Sequence, residues 1–570
     1  MERWVVLNKK CDFQEISRKF GIDPVIARLI RNRDVISEAE IDEYLHGNLG
    51  MLHDPMKLKD MQKALEILDN HIRQGKHIRI IGDYDIDGVM STYILKKGFQ
   101  RVGAKVDIQI PNRITDGYGL NESLVREAYD AGVKLIVTCD NGIAASGQIA
   151  VAKKLGMDVI VTDHHEVPYE EAADGTREFI LPPADAVINP KQKDCTYPFE
   201  GLCGAGVAYK LVTALYDWFD VPEAESRDLI QYAAFATIGD VMDLQGENRI
   251  LVKEGLKILR RTDNEGLLAL MQQCGIEPEQ TDVYHIGFVL GPCLNASGRL
   301  DTAKRALSML TAKGDEAHRL AGDLKALNDS RKELTLKGTE EAIGLVEDTS
   351  LMQDKVLVVY LPECHESLAG IIAGRLRERF HKPSFVLTKS EEGVKGSGRS
   401  IETYSMYEEL CKVKEYLTKF GGHPMAAGIS LKEEDVQHFR KKLNENCTLT
   451  EKDLTEKVSI DLVMPISYIS RSLINQMELL QPFGKGNTKP LFAQKNLKVL
   501  GIRIFGKNRN VAKLQLMDEN GFGMDGVYFG EAEIFAEYVK SHPVLSLTYY
   551  PNINSYNGRE SLQITIQNYQ

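Results

Sequence analysis

Three aspartates, Asp83, Asp85 and Asp87, stand on one turn between an apolar run, His77 to Ile81, and Gly88. Asp140 follows a second apolar run, and Asp163-His164-His165 follows a third. Asp240 closes an apolar helical pattern, where an unpaired acid is costly to bury. Carboxylates and imidazoles brought together repel one another and lose hydration, so a fold that clusters them needs a compensating cation. A pair of hard divalent ions meets that need, and the chemistry such a pair supports is hydrolysis of a phosphate ester. The run Asp83-x-Asp85-x-Asp87-Gly88 also opens the pattern of a calcium-binding loop. That reading fails at Ile94, which stands where the loop needs a bidentate glutamate, and at the extended run that replaces the preceding helix.

The elements that must position these groups are legible as periodicity. Strand-like runs at 78–81, 106–110, 135–138, 159–162 and 186–188, with helical patterns between several of them, predict a doubly wound, mainly parallel α/β sheet. Such sheets bind ligands at the carboxyl ends of their strands. The acids and imidazoles, distant in sequence, therefore converge on one sheet edge. Residues 1–75 read as a helical segment without obvious chemistry, 76–245 as the sheet domain, and 246–350 as a helical connector. The connector ends in a long amphipathic spacer helix from about 316 to 344. Residues 351–450 read as a smaller α/β unit with glycine-rich elements at Lys395–Ser400 and Gly421–Pro424. The short β runs of 455–570 suit a small OB-type barrel.

A length of 570 residues requires several cores. The apolar and charged fractions, 43% and 27%, are those of an ordinary soluble protein. The first residues lack the apolar core of a signal peptide, and no run approaches the roughly 20 apolar residues that span a bilayer. Nine dispersed cysteines without C-x-x-C spacing read as reduced thiols, so a cytoplasmic protein with no membrane partner is expected. The net charge of -12 does not exclude a nucleic-acid partner, because acids gathered at a metal site mask local basic surface. Between Leu479 and Met517 there is no Asp or Glu, while eight Lys and Arg, among them Lys507 and Arg509, fall inside. That stretch is either a solvated face or a phosphate-backbone footprint. Tyr549, Tyr550, Tyr556 and Phe505 are available either for base stacking or for the barrel core.

The ordered motifs resemble the DHH phosphoesterase family, named for Asp163-His164-His165, and within it the branch specific for single strands. The resemblance rests on Gly82–Gly88, Pro111–Arg113, Asp140-Asn141-Gly142, Asn189-Pro190, Cys203–Ala208 and Leu294–Arg299. It extends to Ser397-Gly398-Arg399, the Gly421-Gly422-His423-Pro424 of a DHHA1-type domain, and Pro482–Asn487, and so covers nearly the whole chain. It implies a 5′→3′ exonuclease on single-stranded DNA acting in repair and recombination. Two Mn²⁺ or Mg²⁺ ions would be held by Asp83, Asp85, Asp87, Asp140, His164 and Asp240, with Asp140 bridging and His165 close by. Arg299 would reach the scissile phosphate, Arg113, Ser397 and Arg399 would hold the terminal 5′ phosphate, and His423 would approach the strand. The implied partners are single-strand-binding protein, a RecQ-type helicase and mismatch-repair proteins. Two positions depart from the pattern, Cys293 and Asp243. The alternatives are a phosphodiesterase of short oligonucleotides or cyclic dinucleotides, and a non-catalytic scaffold.

Overall fold

A computed structural model describes residues 2–112, 119–171, 175–390, 393–556 and 558–570. Its central sheet has five strands: β1 (His77–Ile81), β2 (Lys105–Gln109), β3 (Leu135–Cys139), β4 (Asp158–Thr162) and β5 (Ala186–Ile188). They lie in the order β2-β1-β3-β4-β5, all parallel, so the expected doubly wound α/β sheet is present. Strand β3 is buried along its whole length and shows no polar alternation, as a strand covered on both faces must. Helices Ile86–Arg101, Gly204–Trp218 and Ile230–Gly239 contribute to the core over one face, and helices Glu122–Asp130 and Ser146–Lys154 cover the other. The helices of residues 246–311 pack into the first of these cores without a break.

A helix of 34 residues, Gly314–Glu347, about 51 Å long, leads to the second lobe. Its first turns bury Ala317, Leu320 and Leu324 in the core of the sheet domain, and its last turns bury Ala342 and Val346 in the core of the next lobe. Both ends are therefore anchored, and the helix acts as a strut. The second lobe holds β6 (Leu357–Tyr360), β7 (Ser384–Ser390), β8 (Gly393–Arg399), β9 (Lys419–His423) and β10 (Ala426–Leu431), in the order β9-β10-β8-β7-β6. Both glycine-rich elements are strands. Gly396 and Gly398 pair with Leu387 and Phe385, and a Cβ on either would lie 2.3–2.6 Å from those side chains. The glycines thus make room for two fully buried neighbours, which outweighs their poor strand propensity.

The third lobe contains β11 (Leu462–Val463), β12 (Phe492–Phe505), β13 (Val511–Met517), β14 (Gly523–Phe529), β15 (Val544–Tyr556) and β16 (Arg559–Tyr569). Their order is β11-β12-β13-β14-β16-β15, and β12 also pairs with β15, closing the barrel. The N-terminal helices Pro24–Asn32 and Glu38–His46 complete this lobe's core, with Ile26, Leu29 and Ile30 in one cluster with Leu473, Phe492 and Phe535. The strand Arg3–Val6 pairs in parallel with Lys457–Ile460. Arg33, buried at this junction, donates to Asp461 at 3.2 Å and to Asn487 at 2.9 Å. Asn32 also donates to Asp461. Tyr549 belongs to the core, its hydroxyl donating to the Met464 carbonyl, so it cannot stack on a base. Tyr550 lies under the Lys489 ammonium, Phe505 is exposed, and the side chain of Tyr556 lies outside the described residues.

Candidate metal centre and substrate cleft

The turn after β1 is tight because two glycines let the chain fold onto itself. A Cβ on Gly82 would lie 2.0 Å from Thr92 Oγ1, and one on Gly88 would lie 2.5 Å from the Asp83 carbonyl oxygen. Asp85 caps helix Ile86–Arg101, accepting from the backbone N–H groups of Asp87 and Gly88. Asn295, which the sequence shows only as part of the Leu294–Arg299 motif with no role of its own, accepts from the Ile86 N–H at 2.8 Å and fixes the same turn. Asp87 accepts from the N–H groups of Gly204 and Ala205 at 2.6 and 2.7 Å, the first turn of helix Gly204–Trp218, where the helix dipole favours an anion.

Asp140 leaves β3 in a left-handed conformation, φ 60°, which turns its side chain into the cluster. His164 Nε2 lies 3.1 Å from Asp140 Oδ1, 3.6 Å from Asp87 and 4.0 Å from Asp240. Two sets of three donors have their ligand atoms within 4.8 Å of one another, Asp83–Asp85–Asp140 and Asp87–His164–Asp240, and Asp140 also groups with His164 and His165. All six residues expected as metal ligands therefore meet at the carboxyl edge of the sheet. Asp163 does not belong to the cluster's open face. Its carboxylate accepts from the backbone N–H groups of Ile143, His164 and His165 and from His165 Nδ1 at 2.7 Å, orienting the histidine pair.

Whether the donor set suits a divalent cation turns on what else satisfies it. Both carboxylate oxygens of Asp83 are buried, and only the backbone N–H groups of Tyr84 and Gly119 approach them, which leaves most of their lone pairs unfilled. A fold does not orphan a buried carboxylate without something to take its lone pairs. Several carboxylates with one or two imidazoles suit Mn²⁺ or Mg²⁺. In the metal-free chain, burial and the neighbouring Asp85 push Asp83 up to about 8, and burial with Asp87 and Asp85 pushes Asp240 up to about 8. Burial and like charge also raise Asp85 and Asp140. Burial lowers His164, whereas His165, which burial would also lower, is carried up to about 9 by its bond to Asp163.

These shifts fix the sign of a pH effect. Between the unfolded value of about 4 and the folded value of about 8, the folded metal-free chain holds protons that the unfolded chain has released, so its stability falls as pH rises through that window. A bound cation replaces those protons. The Mn²⁺-induced rise in Tm is expected to be larger at about pH 8 than at about pH 5.5, as read by differential scanning fluorimetry with and without chelator. Equal increments at both values would mean that the carboxylates are already ionised without metal.

A cleft of about 480 Å³ opens over Asp83, Asp85 and Asp240 and is lined on its far side by Arg299 and Arg399. Arg299 ends helix Gly291–Leu300 and donates to the Ser367 carbonyl of the second lobe at 2.8 Å. Gly298, one residue before it, lets this helix close on the Tyr84 carbonyl, where a Cβ would sit at 2.3 Å. Strand period places Lys395, Ser397 and Arg399 on one face of β8. Ser397 and Arg399 flank Gly370 in the first turn of helix Ala369–Phe380. Ser397 lines an adjoining cleft with Lys395, Lys419, Phe420 and Tyr84. The sequence reading missed Lys395, Lys419 and Phe420, although the alternation Lys-Gly-Ser-Gly-Arg was the available signal. His423 ends β9, the strand that supplies Lys419 and Phe420, and is exposed.

Arg113 lies outside the described residues. Lys507 and Arg509 are exposed on the turn between β12 and β13, in a different lobe from the metal cluster's sheet, and Arg509 is paired with Glu533 at 2.5 Å. Lys485 and Lys513 are likewise paired, with Asp243 and Asp525. The basic stretch is thus partly neutralised by acids from elsewhere in the chain. Cys293 is buried in the core, with Asn328 donating to its sulfur, and Asp243 is exposed beside Lys485. Neither is among the residues that line the cleft.

A parallel sheet that gathers aspartates and a DHH triplet at its carboxyl edge defines the class of DHH phosphoesterases, and residues 77–239 match the N-terminal domain of the DHH family. Residues 353–448 match the DHHA1 domain and residues 460–568 the RecJ OB domain. The chain belongs to the RecJ family. It is 37% identical to "Single-stranded-DNA-specific exonuclease RecJ" of Bacillus subtilis (strain 168), over 99% of this chain and 70% of that protein. To the protein of the same name from Escherichia coli (strain K12) it is 34% identical, over 96% of each. Among solved structures it is similar to RecJ in complex with Mn²⁺ from Thermus thermophilus. The TM-score there is 0.83 at 27% identity, covering 100% of this chain and 79% of that one. No helix among the described residues is long and apolar enough to cross a membrane.

Proposed function

We propose that the chain is a single-stranded-DNA-specific exonuclease that hydrolyses phosphodiester bonds from the 5′ end with two divalent ions, Mn²⁺ or Mg²⁺. The observation that carries this reading is one cleft that opens onto members of two donor triads, Asp83 and Asp85 of one and Asp240 of the other, and is also lined by arginines from two different lobes, Arg299 and Arg399. Relatives named for single-stranded-DNA-specific exonuclease activity are 34–37% identical over nearly the whole of this chain. When bound, two such ions supply an activated water and neutralise charge on the phosphate. Asp83, Asp85, Asp87, Asp140, His164 and Asp240 would hold them. His165, kept protonated by Asp163, lies at the rim of this cluster, where it can donate to a phosphate oxygen. The Arg299 guanidinium would stabilise charge on the scissile group. Ser397 and Arg399, with Arg113, would bind the terminal 5′ phosphate beside the first turn of a helix. Lys507, Arg509 and His423 would contact the strand farther out. In the cell the enzyme would act in the cytoplasm, in repair and recombination, beside single-strand-binding protein, a RecQ-type helicase and mismatch-repair proteins.

The test is a time course with Mn²⁺ on single-stranded and duplex oligonucleotides blocked in turn at either end, with a cyclic dinucleotide alongside. Arrest by the 5′ block alone, on single strands alone, is the expected result. Degradation confined to dinucleotides would replace this reading with a small-substrate phosphodiesterase. For the end-binding residues, Ser397→Ala/Arg399→Ala should lower kcat/KM on a 5′-phosphorylated strand by roughly 10- to 100-fold, the worth of a charge-assisted pair. The same substrate with a 5′ hydroxyl should lose much less, and an equal loss on both would remove these residues from the phosphate site.

A further inference from the structure

Two cysteines meet where the helical connector joins the core of the sheet domain. Cys274 caps the end of helix Glu265–Gln273, and Cys293 stands in the first turn of helix Gly291–Leu300. Both are free thiols, with their sulfurs 3.9 Å apart. Cys293 is fully buried, whereas Cys274 is partly open to solvent. Asn328 of the strut helix donates to the Cys293 sulfur at 3.3 Å, and that sulfur also lies 3.2 Å from the Val289 carbonyl oxygen, so its position is fixed. The hydrogen bond with Cys293, opposed by burial and helped by the Lys325 and Lys332 ammonium groups, brings the Cys274 thiol down to about 7. The same bond, together with burial, pushes Cys293 up. One sulfur is thus reachable and readily ionised, and the other is sheltered beside it.

The pair is mechanically linked to the metal centre. Two residues after Cys293, Asn295 holds the Ile86 N–H of the aspartate turn at 2.8 Å, and Arg299 of the same helix lines the cleft. A disulfide needs its sulfurs at about 2.05 Å, so bonding this pair closes a gap of about 1.9 Å. Half of that movement on the Cys293 side is about 1 Å, whereas a bond at 2.8 Å is lost after a further 0.7 Å or so. The π-helical turn His285–Leu290, just before Cys293, is the irregular stretch at which this helix can give.

We propose that Cys274 and Cys293 form a reversible thiol switch, closed to a disulfide by hydroperoxides, which loosens the metal centre by drawing Asn295 off the aspartate turn. With hydrogen peroxide as oxidant, the Cys274 thiolate attacks one peroxide oxygen and the O–O bond breaks. Cys274 becomes a sulfenic acid, and the released hydroxide leaves as water with the proton the thiol gave up. The Cys293 sulfur then attacks the Cys274 sulfur, the S–O bond breaks, and the hydroxide leaves with the Cys293 proton as a second water. Each sulfur gives up one electron and the peroxide takes two. A thiol reductant returns both cysteines, as suits a sensor disulfide in a reducing compartment.

The experiment treats the full chain with hydrogen peroxide in the presence of chelator, removes the oxidant, blocks the remaining thiols and maps the peptides. The expected product is a cross-link between the peptides that hold Cys274 and Cys293, lighter by two hydrogens. Apparent Mn²⁺ affinity, read from the Mn²⁺-induced rise in Tm and from initial rates on single-stranded DNA, should fall by about 10-fold or more and return with dithiothreitol. Cys274→Ser should behave as the untreated parent and keep its Mn²⁺ affinity after peroxide. Cys293→Ala, with melting temperature as a check on its buried site, should leave Cys274 oxidised without a cross-link. Thiols that stay open to alkylation in the treated parent, or oxidation of Cys274 without joining to Cys293, would overturn the proposal. A cross-link that leaves Mn²⁺ affinity unchanged would overturn it too, as would an equal loss in Cys274→Ser. The cross-link and the Tm shift are read without substrate, so a chain that degrades no strand would count against the exonuclease reading alone.

Discussion

Asp140→Asn is expected to lower turnover on single-stranded DNA by roughly 10³-fold or more while leaving the fold intact. Asp140 is the residue common to the donor set with Asp83 and Asp85 and the set with His164 and His165, so its substitution weakens both sides of the centre. Loss of transition-state charge stabilisation worth about 4 kcal/mol corresponds to that factor at about 1.4 kcal/mol per tenfold. Asparagine matches the aspartate in shape and tolerates the left-handed backbone at φ 60°, so local strain does not confound the result. Removing one charge from a crowded set of acids also predicts that the metal-free variant melts no lower than the metal-free parent. Turnover within tenfold of the parent at saturating Mn²⁺ would exclude a centre built around Asp140.

Gly204→Ala is expected to act on the same centre from outside it. The added Cβ would lie 2.7 Å from Asp140 Cβ and 3.0 Å from its Cα, and a backbone atom cannot retreat as a flexible side-chain tip can. Gly204 also donates its N–H to Asp87, so one methyl group disturbs two expected ligands. Apparent Mn²⁺ affinity should fall by about 10- to 100-fold, the range seen when groups that orient ligands are lost. Excess Mn²⁺ should restore much of the activity of this variant and none of that of Asp140→Asn. A Mn²⁺ titration of initial rate distinguishes the two, and identical curves for Gly204→Ala and the parent would show that the helix start is free to shift.

The central sheet was legible because its strands are apolar runs of the right length, and the cluster was legible because strand ends in such sheets face one edge. What stayed hidden depended on partners far away in sequence. Asp87 as the acceptor for a helix start 117 residues later cannot be read from its own turn. The acids that neutralise Lys485, Arg509 and Lys513 fall outside the acid-free stretch that drew attention to those cations. The glycine-rich segments of the second lobe were not read as strands because glycine argues against one, and only the register with Phe385 and Leu387 explains the exception.

The shared core of the N-terminal helices and the barrel has a consequence for biosynthesis. Asn32 and the Asp461 to which it donates are 429 residues apart. At a synthesis rate of about 5–20 residues per second, the first helices leave the ribosome roughly 20–90 s before the strands they pack against. During that interval Ile26, Leu29 and Ile30 have no native cover, although the sheet domain behind them can already close. For that interval these helices present uncovered apolar surface to the cell, which is where a holding chaperone would engage them.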